Sequence, residues 1–242
     1  MNHHRIIPCL DLREGRIVKG VHFSNLRDAG DPMERATLYA REGADEIFLL
    51  DIAASAKNRP ATLGLIGKIA ASTKIPITAG GGINSLAMID ETLQCGAEKV
   101  SISSAALENP ALIEESAGRF GSRRIVVAVD ARRLNGETAG TEPCWEVYSG
   151  GGSRPTGRSA TGWAREMELR GAGEILLTSM DADGTCAGYD LALLKSVTET
   201  VSIPVIASGG AGKLEHFYEA LTSGGAGAVL LASILHQGRY SI

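Results

Sequence analysis

The sequence predicts a closed (β/α)8 barrel of the TIM-barrel type, built from two similar half-barrels. Eight short apolar segments alternate with segments of helical spacing. Continuous apolar runs of this kind are typical of parallel strands that are covered on both faces. Eight strand–helix units in 242 residues fit one barrel. A doubly wound open sheet is the alternative, but it more often has fewer strands. We expect a single domain over residues 1–242.

The predicted strands are the eight apolar segments, at 5–11, 46–51, 75–79, 99–103, 124–130, 174–178, 203–207 and 228–232. Five segments between them carry apolar residues at intervals of three and four, which is typical of amphipathic helices. These predicted helices are 32–44, 85–97, 110–121, 160–172 and 213–226. The Gly/Ser-rich segment 149–157 is too short to divide domains and indicates a hairpin or a loop.

The second half of the chain repeats the first. PITAGGG returns as PVIASGG, and GADEIFLL as GAGEILLT, both after 128 residues. KVSISSAAL returns as AVLLASILH after 129 residues, and RIIPCLD as RIVVAVD after 119, which aligns Asp11 with Asp130. Four consecutive units match in order, so we infer a duplicated half-barrel with halves of about 1–122 and 123–242.

Composition excludes several classes of protein. Hydrophobic residues make up 44% of the chain and charged residues 21%, which is ordinary for a globular protein with a large core. The net charge is −4, and no basic stripe with interleaved aromatic residues occurs, so nucleic-acid binding is not expected. The apolar runs are too short to span a membrane, and the first residues do not resemble a secretory signal.

Four cysteines form no CxxC pair, which indicates reduced thiols and a cytoplasmic protein. The five histidines stand at no ligand-like spacing with them, and the sequence predicts neither a metal nor a cofactor. Cys9 shares a strand face with Asp11, and we interpret it as barrel packing. His22, His216 and His236 carry no evident chemistry, and His216 is expected on a helix surface.

The repeated segment that ends in two glycines indicates two phosphate sites. In such a barrel the functional site lies at the carboxyl ends of the strands. Glycines there let backbone N–H groups approach an anion closely. The alternative is that they only form tight turns, but two equivalent copies favour a long ligand with a phosphate at each end. The candidate residues are Gly81, Gly82, Ser103 and Ser104 in the first half and Ser208, Gly209, Gly210 and Ser233 in the second.

Charged residues mark both ends of the predicted barrel. Asp11 and Asp130 end symmetry-related strands, where they are either a catalytic pair or loop caps. Near the opposite ends stand Arg5, Glu46, Lys99 and Glu174. Arg5 and Asp11 point to the same face of their strand, about 20 Å apart. The four charges are either ordinary exposed residues or a salt-bridged ring that closes the barrel floor.

Several segments, including IIPCLDLREGRIVKG, FLLDIAAS, VVAVDARR and LLTSMDADGTCAGYD, are similar to the cyclase subunit of imidazole glycerol phosphate synthase. The similarity runs from about residue 5 to the end. It implies a histidine-pathway enzyme that uses ammonia to convert a bisphosphorylated formimino aminoimidazole carboxamide ribotide into imidazole glycerol phosphate and aminoimidazole carboxamide ribotide. The sister isomerase and a barrel that binds phosphate without catalysis are the alternatives.

The resemblance implies roles for individual residues. Asp11 and Asp130 match the catalytic pair, Lys19 a loop lysine, and Thr178 and Asp183 substrate-binding positions, while Asp51 is a weaker candidate. If Arg132 or Arg133 turned inward, it would lower the pKa of Asp130 and leave Asp11 to carry a proton. The charged ring would admit ammonia from a glutaminase subunit bound at the amino-terminal face; its members are Arg5, Glu46, Lys99 and Glu174.

The sequence also departs from the family pattern. Ser103 replaces a usual asparagine, Ala53 a threonine, Ala182 a basic residue and Arg123 a glutamine. The loop 134–144 looks longer than usual. Family members usually continue for about one more helix, so the carboxyl-terminal helix is expected to be shortened, with a cost in stability.

Overall fold

The structure, a computed structural model, describes residues 4–21, 24–55, 58–134, 144–236, 238 and 240–242. Within these residues the chain forms a twelve-stranded sheet. The strands are β1 (Arg5–Arg13), β2 (Arg16–Val21), β3 (Ser24–Gly30), β4 (Ile47–Asp51), β5 (Ile77–Gly80), β6 (Lys99–Ile102), β7 (Ile125–Arg133), β8 (Trp145–Ser149), β9 (Arg154–Ser159), β10 (Glu174–Ser179), β11 (Val205–Ser208) and β12 (Ala228–Leu231).

The helices of the described residues lie between these strands. They are α1 (Pro32–Glu42), α2 (Arg59–Thr73), α3 (Leu86–Gln94), α4 (Ser104–Glu108), α5 (Ala111–Phe120), α6 (Ala160–Leu169), α7 (Leu191–Thr198), α8 (Leu214–Thr222) and α9 (Ser233–His236), with a 3-10 turn at Ser122–Arg124. The five predicted helices correspond to α1, α3, α5, α6 and α8. The sequence reading did not include α2, α4, α7 and α9.

Eight strands close into a parallel barrel. Their order is β10-β11-β12-β1-β4-β5-β6-β7, and β7 pairs with β10 to complete the circle. Every neighbouring pair around the circle is parallel. The predicted fold class is therefore confirmed, and the open-sheet alternative is wrong.

A hairpin extends the first strand of each half at the mouth of the barrel. β2 pairs antiparallel with β1, and β3 with β2. In the second half β8 pairs antiparallel with β7, and β9 with β8. The predicted hairpin in 149–157 is the turn between β8 and β9. β1 and β7 run past their predicted ends because their last residues pair with these hairpins.

Two apolar layers hold the barrel together. Alternate residues of β1 show the pattern, since Ile7 and Cys9 belong to the cluster inside the barrel, while Leu10 and Leu12 belong to the layer beneath the helices. Phe48 and Leu176 also fill the interior. Because side chains occupy the centre, polar groups meet the interior chiefly near its two ends.

Local signals set the helix boundaries. Asp31 caps α1 by accepting from the backbone N–H of Met33 at 2.8 Å and of Glu34 at 3.1 Å. Gly43 ends the same helix with φ +96°, a left-handed conformation that favours glycine. The apolar residues of α2 are not segregated on one face of the helix, which is why its spacing gave no helical signal.

The last helix of the described chain is α9, which packs on α1. The Tyr39 hydroxyl lies 2.8 Å from Nδ1 of His236, and a guanidinium N–H of Arg35 donates to the carbonyl of His236 at 3.4 Å. None of the helices in the described ranges is long and apolar enough to cross a membrane. All four cysteines are among the described residues, and none forms a disulfide. His22 and residues 135–143 of the predicted long loop lie outside the described residues.

Candidate active site

A cavity of about 620 Å³ opens at the carboxyl ends of the barrel strands. Nearly every residue predicted for the site lines this cavity. These residues are Asp11, Gly81, Gly82, Ser103, Ser104, Asp130, Thr178, Asp183, Ser208, Gly209, Gly210 and Ser233. Lys19 lies in β2, and its side chain is outside the part that the structure describes.

The cavity also includes residues that sequence reasoning missed or ranked low. Asp51 ends β4 and lines the cavity, and so does Glu108 of α4. Gly150 and Gly151, at the tip of the β8–β9 hairpin, also line it. The sequence predicted this hairpin, but only the folded barrel shows that its tip turns over the mouth.

Asp11 sits on the inner face of β1, two residues beyond Cys9. The Cys9 thiol donates to Oδ1 of Asp11 at 3.2 Å. Cys9 is buried and belongs to the interior cluster, so it packs the barrel and also orients the carboxylate. The alternation of side chains along a strand produces this contact.

Asp130, at the corresponding place on β7, has an unusual environment. Burial, and secondly the negative charge of Asp183, raise the pKa of Asp130 to about 6. Arg132 and Arg133 do not turn inward: their guanidinium groups lie over the rings of Tyr148, at 5.0 Å, and Trp145, at 6.0 Å. The condition for a lowered Asp130 pKa is therefore not met, because both arginines stack on the hairpin.

The loop after β10 carries Asp183 and is tied to the strand of Asp130. The N–H of Met180 donates to the carbonyl of Ala131 at 2.9 Å, and the N–H of Arg133 donates to Oδ2 of Asp181 at 2.8 Å. The N–H of Asp183 itself donates to the carbonyl of Ser179 at 3.0 Å. These bonds fix the segment that adds a second carboxylate beside Asp130.

Both carboxylate oxygens of Asp51 accept hydrogen bonds from the loop and helix that follow β4. Its Oδ2 accepts from the Thr62 hydroxyl at 2.7 Å, and its Oδ1 accepts from the backbone N–H of Ala53 at 3.1 Å. Both oxygens therefore brace the loop between β4 and α2. This arrangement favours a structural role at the edge of the cavity.

The two glycine loops approach neighbouring backbone so closely that a side chain cannot fit. Gly81 has φ +103°, and a methyl group there would lie 2.1 Å from the carbonyl oxygen of Asp51. Gly210 has φ +105°, and a methyl group there would lie 2.0 Å from the carbonyl oxygen of Gly188. Equivalent loops in the two halves thus need glycine both for the positive φ and for the close approach of a neighbouring carbonyl oxygen.

The hydroxyl of Ser104, the first residue of α4, contacts the hairpin after β7. Its Oγ accepts from the N–H of Gly150 at 2.9 Å. A hydroxyl that accepts one hydrogen bond keeps its own hydrogen for a further acceptor. The Ser104 hydroxyl, which lines the cavity, therefore keeps a donor for a further acceptor.

The four charged residues at the other end of the barrel form a closed ring. Arg5 contacts both Glu46, at 2.7 Å, and Glu174. Lys99 contacts Glu46 at 2.8 Å and Glu174 at 2.7 Å. The Thr78 hydroxyl donates to the remaining oxygen of Glu46. Two cations and two anions alternate around the barrel floor, so the ring carries no net charge.

His216 differs from its predicted surface position. It lies in α8, but only 6% of it is exposed. Its Nδ1 accepts from the N–H of Gly212 at 3.2 Å, so the ring supports the loop that follows β11. The amphipathic spacing did not reveal this because the ring turns towards a loop and not towards the barrel core.

The matched strands, paired loops and mouth cavity agree with the comparisons with known proteins. A family model described as "Histidine biosynthesis protein" matches residues 5–241. The chain belongs to this histidine biosynthesis family. The match covers both half-barrels, including the mouth cavity and the charged ring.

Two relatives in this family are especially similar. The imidazole glycerol phosphate synthase subunit HisF of Microcystis aeruginosa (strain NIES-843 / IAM M-2473) is 56% identical over 238 residues, which are 98% of this chain and 92% of the relative. The protein of the same name from Trichormus variabilis (strain ATCC 29413 / PCC 7937) is 53% identical over 238 residues, with 98% and 91% covered. The resemblance stated from the sequence motifs is confirmed.

Proposed function

We propose that this chain is the cyclase subunit of an imidazole glycerol phosphate synthase. It takes ammonia and the bisphosphorylated formimino aminoimidazole carboxamide ribotide and forms imidazole glycerol phosphate, aminoimidazole carboxamide ribotide and water. The single observation that carries the proposal is the pairing of Asp11 and Asp130 at equivalent strand ends within one cavity. The identity to relatives with this printed name supports it.

The two aspartates divide the proton transfers. Addition of ammonia to the ketone of the substrate releases water, and closure of the ring expels the ribotide amine. Each step adds a proton at one atom and removes a proton at another. Asp130, with its pKa raised to about 6, holds a proton closer to neutral pH and is the general acid. Asp11 accepts protons from the opposite side of the cavity.

The two glycine loops bind the two phosphates. Backbone N–H groups of Gly81 and Gly82, with the Ser104 hydroxyl, form one site. Gly209 and Gly210 form the other, with the hydroxyl of Ser233. Thr178 and Asp183, which line the same cavity, bind hydroxyl groups of the substrate. Ser103 and Ser208 line the cavity beside the two loops. Lys19 is assigned to substrate binding from the family resemblance.

The charged ring is the route for ammonia. A glutaminase subunit at the amino-terminal face would release ammonia beneath the ring of Arg5, Glu46, Lys99 and Glu174. Ammonia is small and neutral, so it can pass between paired charges that hold larger molecules back. The cytoplasm is the compartment in which we place the complex, on the basis of the reduced cysteines.

Kinetics of two conservative variants test the proposed chemistry. Asp11→Asn and Asp130→Asn each keep the size of the side chain but remove a proton-transfer group. We expect each to lose at least about 100-fold in turnover with ammonium salt, with little change in KM. Wild-type turnover by either variant would remove that residue from the mechanism. Turnover of the isomerase substrate by the wild-type protein would favour the sister activity.

A further inference from the structure

The described side chains of the cavity do not supply the positive charge that the proposed substrate needs. Among the described residues that line it, five are carboxylates, and none is a lysine or an arginine; the carboxylates are Asp11, Asp51, Glu108, Asp130 and Asp183. A ligand with two phosphates is negatively charged, as are these carboxylates, so the two would repel each other. Neighbouring cations must therefore offset this repulsion.

The β8–β9 hairpin brings an arginine to one of the phosphate sites. Gly150, at the hairpin tip, lines the cavity and donates its N–H to Oγ of Ser104 at 2.9 Å. The guanidinium of Arg154 lies against this same glycine. A methyl group on Gly150 would lie 3.5 Å from Nε and 3.7 Å from Nη2 of Arg154. Gly150 thus contacts the Ser104 hydroxyl through its N–H and has the Arg154 guanidinium beside it.

The hairpin holds this position firmly. The turn closes through the N–H of Ser153, which donates to the carbonyl of Ser149 at 3.0 Å, and through the Ser153 hydroxyl, which donates to the carbonyl of Gly150 at 2.8 Å. The guanidinium of Arg154 is exposed, and within the described ranges it makes no ion pair. Its charge is therefore available to a ligand at the cavity mouth.

We infer that Arg154 supplies the cation for the phosphate bound by Gly81, Gly82 and Ser104. This inference rests on the proposed function for the identity of the full substrate, but the phosphate group alone is enough to test it. Arginine presents several N–H donors in a planar fork that suits phosphate oxygens. The side chain folds over Gly150 in the open site and swings onto the phosphate when the ligand binds.

Arg158 provides a matched control on the same strand. Its guanidinium donates to Glu166 at 3.1 Å and lies 4.7 Å above the ring of Trp163, so it is engaged away from Ser104. Arg154→Gln and Arg158→Gln remove the same charge from one strand. A general effect of net charge would change phosphate binding equally in both variants.

The decisive experiment is a titration of the full chain with inorganic phosphate. NMR spectra of glycine-selectively ¹⁵N-labelled protein are recorded at each phosphate concentration. The amides of Gly81 and Gly82 report the first site, and those of Gly209 and Gly210 report the second. We expect Arg154→Gln to weaken the first site by at least about 10-fold and to leave the second within about twofold. Arg158→Gln should leave both sites unchanged. Equal affinities in Arg154→Gln and wild type, or equal weakening at both sites, would overturn the inference.

Steady-state kinetics give the second readout. With the cyclase substrate and ammonium salt, we expect Arg154→Gln to raise KM by about 10-fold or more with kcat nearly unchanged, and Arg154→Lys to recover part of the loss. An unchanged KM would contradict the inference. If the wild-type protein did not turn over this substrate, the proposed function would fail, while the phosphate titration would still decide the role of Arg154.

Discussion

Asp183, on the loop after β10, faces Asp130 at the end of β7, and its charge adds to burial in raising the pKa of Asp130 to about 6. That loop follows β10, the strand that pairs in parallel with β7. A carboxyl group with a pKa near 6 can hold and release a proton close to neutral pH. The loop that carries Asp183 therefore helps to set the pKa of Asp130.

The pH dependence of turnover should report this relationship. Removal of the neighbouring charge in Asp183→Asn lowers the pKa of Asp130, since a carboxylate no longer opposes ionisation of Asp130. We expect the limb of the kcat/KM profile that belongs to Asp130 to move to lower pH. The measurement uses a fixed concentration of free ammonia at each pH. A limb that stays in place would show that Asp183 does not influence Asp130.

Asp130 should also affect stability as a function of pH. The pKa of Asp130 is about 6 in the folded protein, whereas the ordinary value for an aspartate, which applies to the unfolded chain, is 3.8. The folded protein therefore binds the proton more tightly than the unfolded chain does. This stabilising contribution is complete below about pH 4, is lost as pH rises through about 6, and amounts to roughly 3 kcal/mol. Asp130→Asn lacks this dependence.

Urea denaturation of wild type and Asp130→Asn at pH 4 and pH 8 measures this difference. The free energy of unfolding of the variant, relative to wild type, should increase by up to about 3 kcal/mol between the two pH values. A constant difference would contradict the raised pKa. The titrations of groups that do not interact with Asp130 are common to both proteins and cancel.

Gly210 should tolerate no side chain. Gly210→Ala combines a positive φ with a methyl group placed 2.0 Å from the carbonyl oxygen of Gly188. We expect a loss of about 2–4 kcal/mol in the free energy of unfolding and a higher KM, because the proposed phosphate loop must shift. Gly118→Ala is the control, since Gly118 lies in α5 with nothing within 4 Å of the added methyl. Equal stability of the two variants would show that the loop rearranges freely.

The charged ring should couple stability to ammonia transfer. Lys99→Met leaves Glu46 and Glu174 with Arg5 alone, and we expect a loss of about 3 kcal/mol in the free energy of unfolding. Turnover with ammonium salt should change less than turnover with glutamine and a glutaminase subunit. Lys195→Met removes an exposed pair with Glu199 and should cost at most about 1 kcal/mol. Equal loss of both activities in Lys99→Met would argue against a role in transfer.

The sequence could predict the barrel because strand period, helix period and internal repeat agree. The repeat alone aligned Asp11 with Asp130. The four ring residues could be grouped because each stands near the beginning of a predicted strand. The environment of Asp130 could not be predicted, because it depends on Asp183 from another strand and on where Arg132 and Arg133 stack. Contacts of this kind join residues far apart in the chain and leave no periodic signal.

The proposed role of Arg154 illustrates the same limit. The sequence predicts a hairpin or a loop for its segment, yet nothing in SGGGSRPTG indicates which residues the tip will contact. The contact of Gly150 with Ser104 arises from the tilt of the hairpin over the barrel mouth. Composition and spacing describe the element, whereas the closed sheet determines its neighbour.

The most direct test of the proposed cyclase activity is the stoichiometry of product formation. The purified chain is supplied with the bisphosphorylated formimino aminoimidazole carboxamide ribotide and ammonium salt, and both products are quantified over time. We expect imidazole glycerol phosphate and aminoimidazole carboxamide ribotide to appear in a 1:1 ratio, with glutamine unable to replace ammonium unless a glutaminase subunit is added. The absence of both products from a folded protein that binds the substrate, or turnover of glutamine by this chain alone, would contradict the proposal.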